Sequence, residues 1–302
     1  MSREWLASSE RSSPGAVRVL VWIAVHLGRP VARTALVPAV AYFVLFAGRA
    51  RAASRDYLRR VLKRTPSLCE IYRHFYSFAA VALDRVYFLS DRRSHFDIRL
   101  HGEGFVLEKI AQHKGCILLG AHLGSFECLR ALARHHDVSI KMVMFEQNTP
   151  IVTGIARAIN PVLEQEIISL GEPDSMLQVV EQLDAGNSIG ILADRAVSNH
   201  GLVQLPFLGG KAAFPTAPFR ISAVAGRPIF LMVGLYRGGN RYDVHFEMLV
   251  ESPRFPRADR EQIVEQWMHL YAARIEHYCR QAPFNWFNFF PFWTDDSDAD
   301  EV

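Results

Sequence analysis

The sequence predicts an α/β protein: a mostly parallel central sheet flanked by helices, preceded by an N-terminal apolar helical segment that associates with a membrane. Three observations predict it. From Gly115 onward, short β-rich runs alternate with helical ones, and such alternation builds a parallel sheet covered by helices on both faces. Before that, from Ala16 to Ala47, the chain is mostly apolar with arginines set into it. Half of the 302 residues are apolar and the formal net charge is only +3. That composition is globular and large enough for a sizeable core, and it gives no argument for a nucleic-acid partner. The expected organisation is a membrane-associating helical segment over 1–65, an α/β domain over 66–294 and an acidic tail over 295–302.

The apolar N-terminus comes first. Arg18, Arg29, Pro30 and Arg33 leave two shorter runs, Val19 to Leu27 and Ala35 to Ala47. A full crossing takes about 20 uninterrupted apolar residues, which neither run supplies. A secretory signal fits poorly, because no small-residue cleavage site follows a single apolar run. The stretch GRARAASRDYLRRVLKR follows, with Tyr57, Leu58, Val61 and Leu62 interleaved among arginines. Apolar helices beside arginines suit a segment lying in an anionic bilayer surface. A shallow or re-entrant anchor is therefore expected, with a helical hairpin packed on the domain as the alternative. From Ser67 to Leu89 apolar residues recur at helical spacing, with Tyr72, Phe75, Tyr76 and Phe78 clustered. Pro66 stands just ahead, where a helix start tolerates proline.

The alternation then begins. Cys116 to Gly120 reads as a strand, Ser125 to His135 as a helix, Val138 to Met144 as a strand and Pro150 to Leu163 as a helix. Glu166 to Leu170 is a strand, Asp174 to Ala185 a helix, Ser188 to Ala193 a strand and Ala213 to Ala225 a helix. Pro228 to Tyr236 and Arg241 to Val250 form a hairpin across RGGN. A last helix opens at Pro256 and Arg257 and runs to about Gln281.

Cys69, Cys116, Cys128 and Cys279 form no Cys-x-x-Cys pair and sit mostly in apolar surroundings. They are expected to be reduced core residues of a cytosol-facing protein. No zinc spacing occurs, and the adjacent His135 and His136 point apart on a helix.

The chemistry concentrates between Cys116 and His136. His122 falls just past a strand, where sites form in parallel α/β sheets. Gly124 permits a tight turn and Ser125 is a natural N-cap, which leaves Glu127 in the first helical turn. There the helix dipole favours a carboxylate, and the two side chains can converge. A glutamate on one imidazole nitrogen fixes the tautomer and leaves the other nitrogen to take a proton from a hydroxyl. The same spacing also fits a polar loop histidine beside an ordinary helix-start acid.

GCILLGAHLGSFE resembles the His-x4-acid block of the lysophospholipid acyltransferase superfamily, and most closely its lipid A late acyltransferase branch, the lauroyl and myristoyl transferases. His122, Gly124 and Glu127 fall on that branch's Ala-His-x-Gly-x-x-Glu. A second region, Ser188 to Ile229, matches at Asp194, Phe207, Gly209, Pro215 and Thr216. Arg195 stands where the family usually has glutamine. FEQNTP, Phe145 to Pro150, lacks the family's basic residue for the glycolipid phosphate, and APFNWFNFFPFW lacks the basic pair after the tryptophan. These departures bear on the acceptor.

The resemblance implies an O-acyltransferase of lipid A, that is lipopolysaccharide, biosynthesis type. The donor would be an acyl thioester on acyl carrier protein or coenzyme A, and the acceptor a membrane lipid or glycolipid. His122 would deprotonate the acceptor hydroxyl and Glu127 would hold His122. Gly124, Asp194 and Arg195 are the candidate substrate contacts, with no metal and no cofactor. The arginines after Ala47 favour the cytoplasmic face of the inner membrane. The alternatives are a different acceptor, such as an aryl-polyene-type lipid, or a non-catalytic membrane lipid carrier. A serine hydrolase is disfavoured, because no Gly-x-Ser-x-Gly elbow occurs.

Overall fold

The computed structural model describes residues 14–90, 92–113, 115–128, 139–144, 167–169, 174–195, 201–251 and 255–293. Four helices come first: α1 (Pro14–His26), α2 (Arg29–Phe46), α3 (Gly48–Leu62) and α4 (Leu68–Leu89). By length and composition alone, the 18-residue α2 is long and apolar enough to cross a membrane. One face of it packs along α4 through Ala32, Leu36, Val40 and Val44. Two of the arginines that interrupt the apolar run, Arg29 and Arg33, have a specific place. Asp84 of α4 is fully buried and accepts bonds from Arg29 (2.7 Å), Arg33 (2.7 Å) and the Tyr242 hydroxyl (2.8 Å). A buried carboxylate is tolerated only when it is paired and hydrogen-bonded in this way. The cluster therefore fastens the first turns of α2 to the domain. The start of α4 is a capping box, with Ser67 and Glu70 each accepting the other's backbone N–H.

The remaining elements are β1 (Asp97–His101), α5 (Glu103–His113), β2 (Ile117–Gly120), β3 (Ile140–Met144), β4 (Ile167–Ser169), α6 (Ser175–Asp184) and β5 (Ser188–Leu192), then β6 (Leu202–Phe207), β7 (Gly210–Pro215), α7 (Ala217–Ala225), β8 (Ile229–Gly238), β9 (Arg241–Val250) and α8 (Arg260–Gln281). Seven strands make one sheet in the order β1-β9-β8-β2-β5-β3-β4. Every neighbouring pair is parallel except the β8–β9 hairpin. β2 is buried along its whole length at the centre of the order, which is why Ile117, Leu118 and Leu119 read as an unbroken apolar run.

The mostly parallel sheet and the hairpin across Arg237 to Asn240 agree with the sequence reading. Three elements extend or correct it. β1 and α5 precede the expected alternation; β1 is an edge strand with no fully buried residue. β6 and β7 form a separate antiparallel hairpin. Residues 213–215 therefore belong to a strand, and the helix expected from Ala213 begins at Ala217. Phe207 and Phe214 meet edge to face there, and Phe207 stacks on Trp293, so the hairpin is set by distant aromatics rather than by its own propensity. The expected helix over Pro150 to Leu163, most of the one over Ser125 to His135, Phe145 to Pro150 and the acidic tail lie outside the described residues. All four cysteines are free; Cys116, Cys128 and Cys279 are buried, whereas Cys69 is exposed at the start of α4.

Candidate active site

The site is built where β2 ends. Gly124 has φ 72°, and a Cβ on it would lie 1.9 Å from the Gly234 carbonyl oxygen. Only glycine allows the loop to lie this close against β8. The Ser125 N–H donates to the Gly234 carbonyl (2.7 Å), and the Ser125 hydroxyl accepts the Cys128 N–H (3.2 Å). Ser125 is thus the N-cap that the sequence suggested.

His122 stands between these fixed points. In the parallel register of β2 and β5, Gly120 pairs with Leu192. The same offset, carried two residues past the strands, sets His122 opposite Asp194. The His122 backbone N–H donates to Asp194 Oδ2 (3.0 Å), and His122 Nδ1 meets Oδ1 at 2.8 Å. Trp286 Nε1–H donates to Oδ2 at 3.0 Å. Asp194 is 1 % exposed, whereas 32 % of the His122 side chain is exposed. Burial raises the Asp194 carboxyl pKa, but His122 and Arg195 outweigh it and hold the group at about 2. Asp194 is therefore a carboxylate that can only accept, so the proton on His122 lies on Nδ1 and Nε2 carries the lone pair. Burial, and then Arg195, lower the His122 pKa below its ordinary 6.5 against the opposing pull of Asp194. At neutral pH the imidazole is an uncharged base.

Asp194 thus makes the Nδ1 bond that the sequence reading gave to Glu127. Glu127 lies in the first helical turn as expected and pairs with Arg85 of α4 at 2.8 Å. Asp194, read from sequence as a substrate contact, sits beneath the imidazole instead. Arg195 is half-buried; its guanidinium donates to the Phe287 carbonyl and lies 5.3 Å from the Phe290 ring centroid. Sequence reasoning missed Arg85 and Trp286. Trp286 lies in the quoted aromatic close, but no periodicity or spacing assigns it a partner.

Among the described residues a second group, His101, Asp243 and His245, brings possible metal-ligating atoms within 4.8 Å of one another. Asp243 there already accepts from Arg237 and Arg241. The two imidazoles stack 4.5 Å apart at 10°, so their in-plane lone pairs run side by side rather than converging on an ion.

A neutral histidine, held by a buried carboxylate at the carboxyl end of a central parallel strand, is an arrangement able to take a proton from a hydroxyl, as an enzyme's base does. The chain belongs to the bacterial lipid A biosynthesis acyltransferase family, whose model matches residues 16–295. Membership implies acyl transfer onto a lipid A-type acceptor. No individual curated protein matches the chain.

Proposed function

We propose that the protein moves a fatty acyl chain from an acyl thioester, on acyl carrier protein or coenzyme A, to a hydroxyl of a membrane lipid or glycolipid, as the late lauroyl- and myristoyl-type transferases do. The observation that carries this reading is the 2.8 Å bond between His122 Nδ1 and Asp194. It leaves Nε2 to take the proton of the acceptor hydroxyl as the oxygen attacks the thioester carbon. The tetrahedral oxyanion then collapses, the C–S bond breaks, and the proton on Nε2 passes to the leaving thiolate. Positive charge from Arg195, beside His122, favours the oxyanion. Glu127, paired with Arg85, fixes the first helical turn behind the base, and Gly124 shapes the loop that faces the substrate.

The missing basic residues favour one second reading, an acceptor without the lipid A phosphates, such as an aryl-polyene-type lipid. Mass spectrometry of membrane lipids from cells with and without the chain separates the two. One lipid class should lose the mass of an acyl group when the chain is absent, and its headgroup identifies the acceptor. Identical lipid profiles would overturn the acyltransferase reading and leave a lipid carrier.

The same reading seats the protein on the cytoplasmic face of the inner membrane. Trp22, Val25, Tyr42, Leu45 and Phe46 are exposed on α1 and α2, Phe46 by 70 %. An apolar surface of this kind calls for a cover. Arg49, Arg55 and Arg59 are exposed on the α3 that follows, and each basic residue near an anionic surface contributes about 1 kcal/mol. The chain should sediment with membranes and need detergent for release. A chain soluble in low salt without detergent would overturn the seating; release by high salt alone would assign it to the arginines.

A further inference from the structure

The C-terminal aromatic segment does more than close the core. Phe284 to Asn288 is threaded along the His122 loop. The Gly124 N–H donates to the Asn285 carbonyl (2.9 Å) and the Phe287 N–H to the His122 carbonyl (2.8 Å). Asn285 is itself fixed, accepting from the Tyr236 N–H (2.7 Å) and donating to the Tyr236 carbonyl (3.1 Å) of β8. Between these, Trp286 is held at both ends. Its indole N–H donates to Asp194 Oδ2. Its carbonyl accepts from His74 Nε2 (2.8 Å), whose Nδ1 lies 2.8 Å from the Ser54 hydroxyl.

The proton directions along this chain follow from what each group can do. A carbonyl only accepts, so His74 carries its proton on Nε2 and accepts a hydrogen bond from the Ser54 hydroxyl at Nδ1. That requires an uncharged His74, and burial holds its pKa down to about 4. The polar chain therefore runs from α3 through α4 and the C-terminal segment to the base. A buried carboxylate with three donors has one orientation. Oδ2 takes the His122 and Trp286 N–H groups, which leaves Oδ1 for the imidazole.

We propose that Trp286 is a positioning residue, whose indole N–H fixes Asp194 and through it the tautomer and aim of His122. The inference rests on His122 being the base. Without the indole donor, Oδ2 keeps only the His122 backbone N–H. Its charge is then less dispersed and pulls harder on the imidazole proton. His122 would protonate at higher pH and be less well aimed at neutral pH.

Packing is the competing explanation, because the Trp286 ring is 1 % exposed and meets Tyr57, Phe207 and Phe292. Trp286→Phe changes packing and hydrogen bonding together. A second variant with β-(3-benzothienyl)alanine at position 286 keeps the bicyclic shape and puts a sulfur, which cannot donate, in place of the N–H. Two readouts serve. One is diethyl pyrocarbonate modification of His122 against pH, followed by mass spectrometry. The other is thiol release from acyl coenzyme A or acyl carrier protein thioester in membranes carrying the full chain.

In the isosteric variant the midpoint of His122 modification should move to higher pH, with transfer down about 10-fold, the scale of one hydrogen bond to a charged group. Parent behaviour in the isosteric variant overturns the proposal, even where Trp286→Phe loses activity, because that pattern is packing alone. Lost transfer with an unmoved midpoint overturns it as well. Full transfer by His122→Ala would instead remove the base itself, whatever happens at position 286.

Discussion

His122→Ala is expected to lose acyl transfer and keep its fold. General-base assistance is worth about 10²- to 10⁴-fold. The fold survives because the donors around Asp194 are only partly lost. The carboxylate keeps the His122 backbone N–H and the Trp286 indole, and the truncated side chain lay one-third exposed. Losing one charge-assisted bond costs about 1.5–3 kcal/mol, less than the stability of an ordinary domain. The parent enzyme should also show the base in its pH profile. The active form is the neutral imidazole, and its pKa lies below 6.5 because burial and Arg195 outweigh Asp194. The rate should therefore hold at neutral pH and fall on acidification, with its half-rate point below the ordinary imidazole value. Thioester consumption, thermal melting and the pH profile are measured together. Near-parent transfer by the alanine variant would remove the mechanism.

Asp194→Asn should cost nearly as much, for a different reason. The amide oxygen can accept the two N–H groups that now meet Oδ2, from His122 and Trp286. That places the amide NH₂ against Nδ1, so Nδ1 must accept and the proton moves to Nε2. The base then faces its substrate with a donor in place of a lone pair. The expected loss is again about 10²- to 10⁴-fold, with little change in melting. Glu127→Gln weakens the ion pair with Arg85 and should lose about 10-fold or less, because the Nδ1 bond stays in place. Transfer rates of the two variants, side by side, decide between the carboxylates. A larger loss at Glu127 than at Asp194 would return the orienting role to the residue five positions after the histidine.

Much of this architecture is written locally. The strand into β2, the turn at Gly124 and the Ser125 cap are legible, because an unbroken apolar run, a glycine and a helix-capping hydroxyl each act through their own backbone. The β8–β9 hairpin is legible for the same reason, from RGGN between two β-rich runs. The His-x4-acid spacing and the second matching region point to the family from the sequence alone. The β6–β7 hairpin is not legible: Gly210, Lys211, Ala212 and Ala213 have little strand preference and are held by pairing and by Phe207 against Trp293. Arg29 and Arg33 read as breaks in an apolar run, and their buried partner Asp84, more than 50 residues on, meets them only in the fold.

The sequence by itself thus determined the sheet class, pointed to the family and offered His122 as the candidate base. The tertiary structure decided which carboxylate holds that base. The distance from His122 to Asp194 along the chain is 72 residues, and nothing in either local stretch names the other. What joins them is that β2 lies beside β5 in parallel register. Strand order and register come from burying whole faces of the sheet together, and the side chains at the strand ends simply follow.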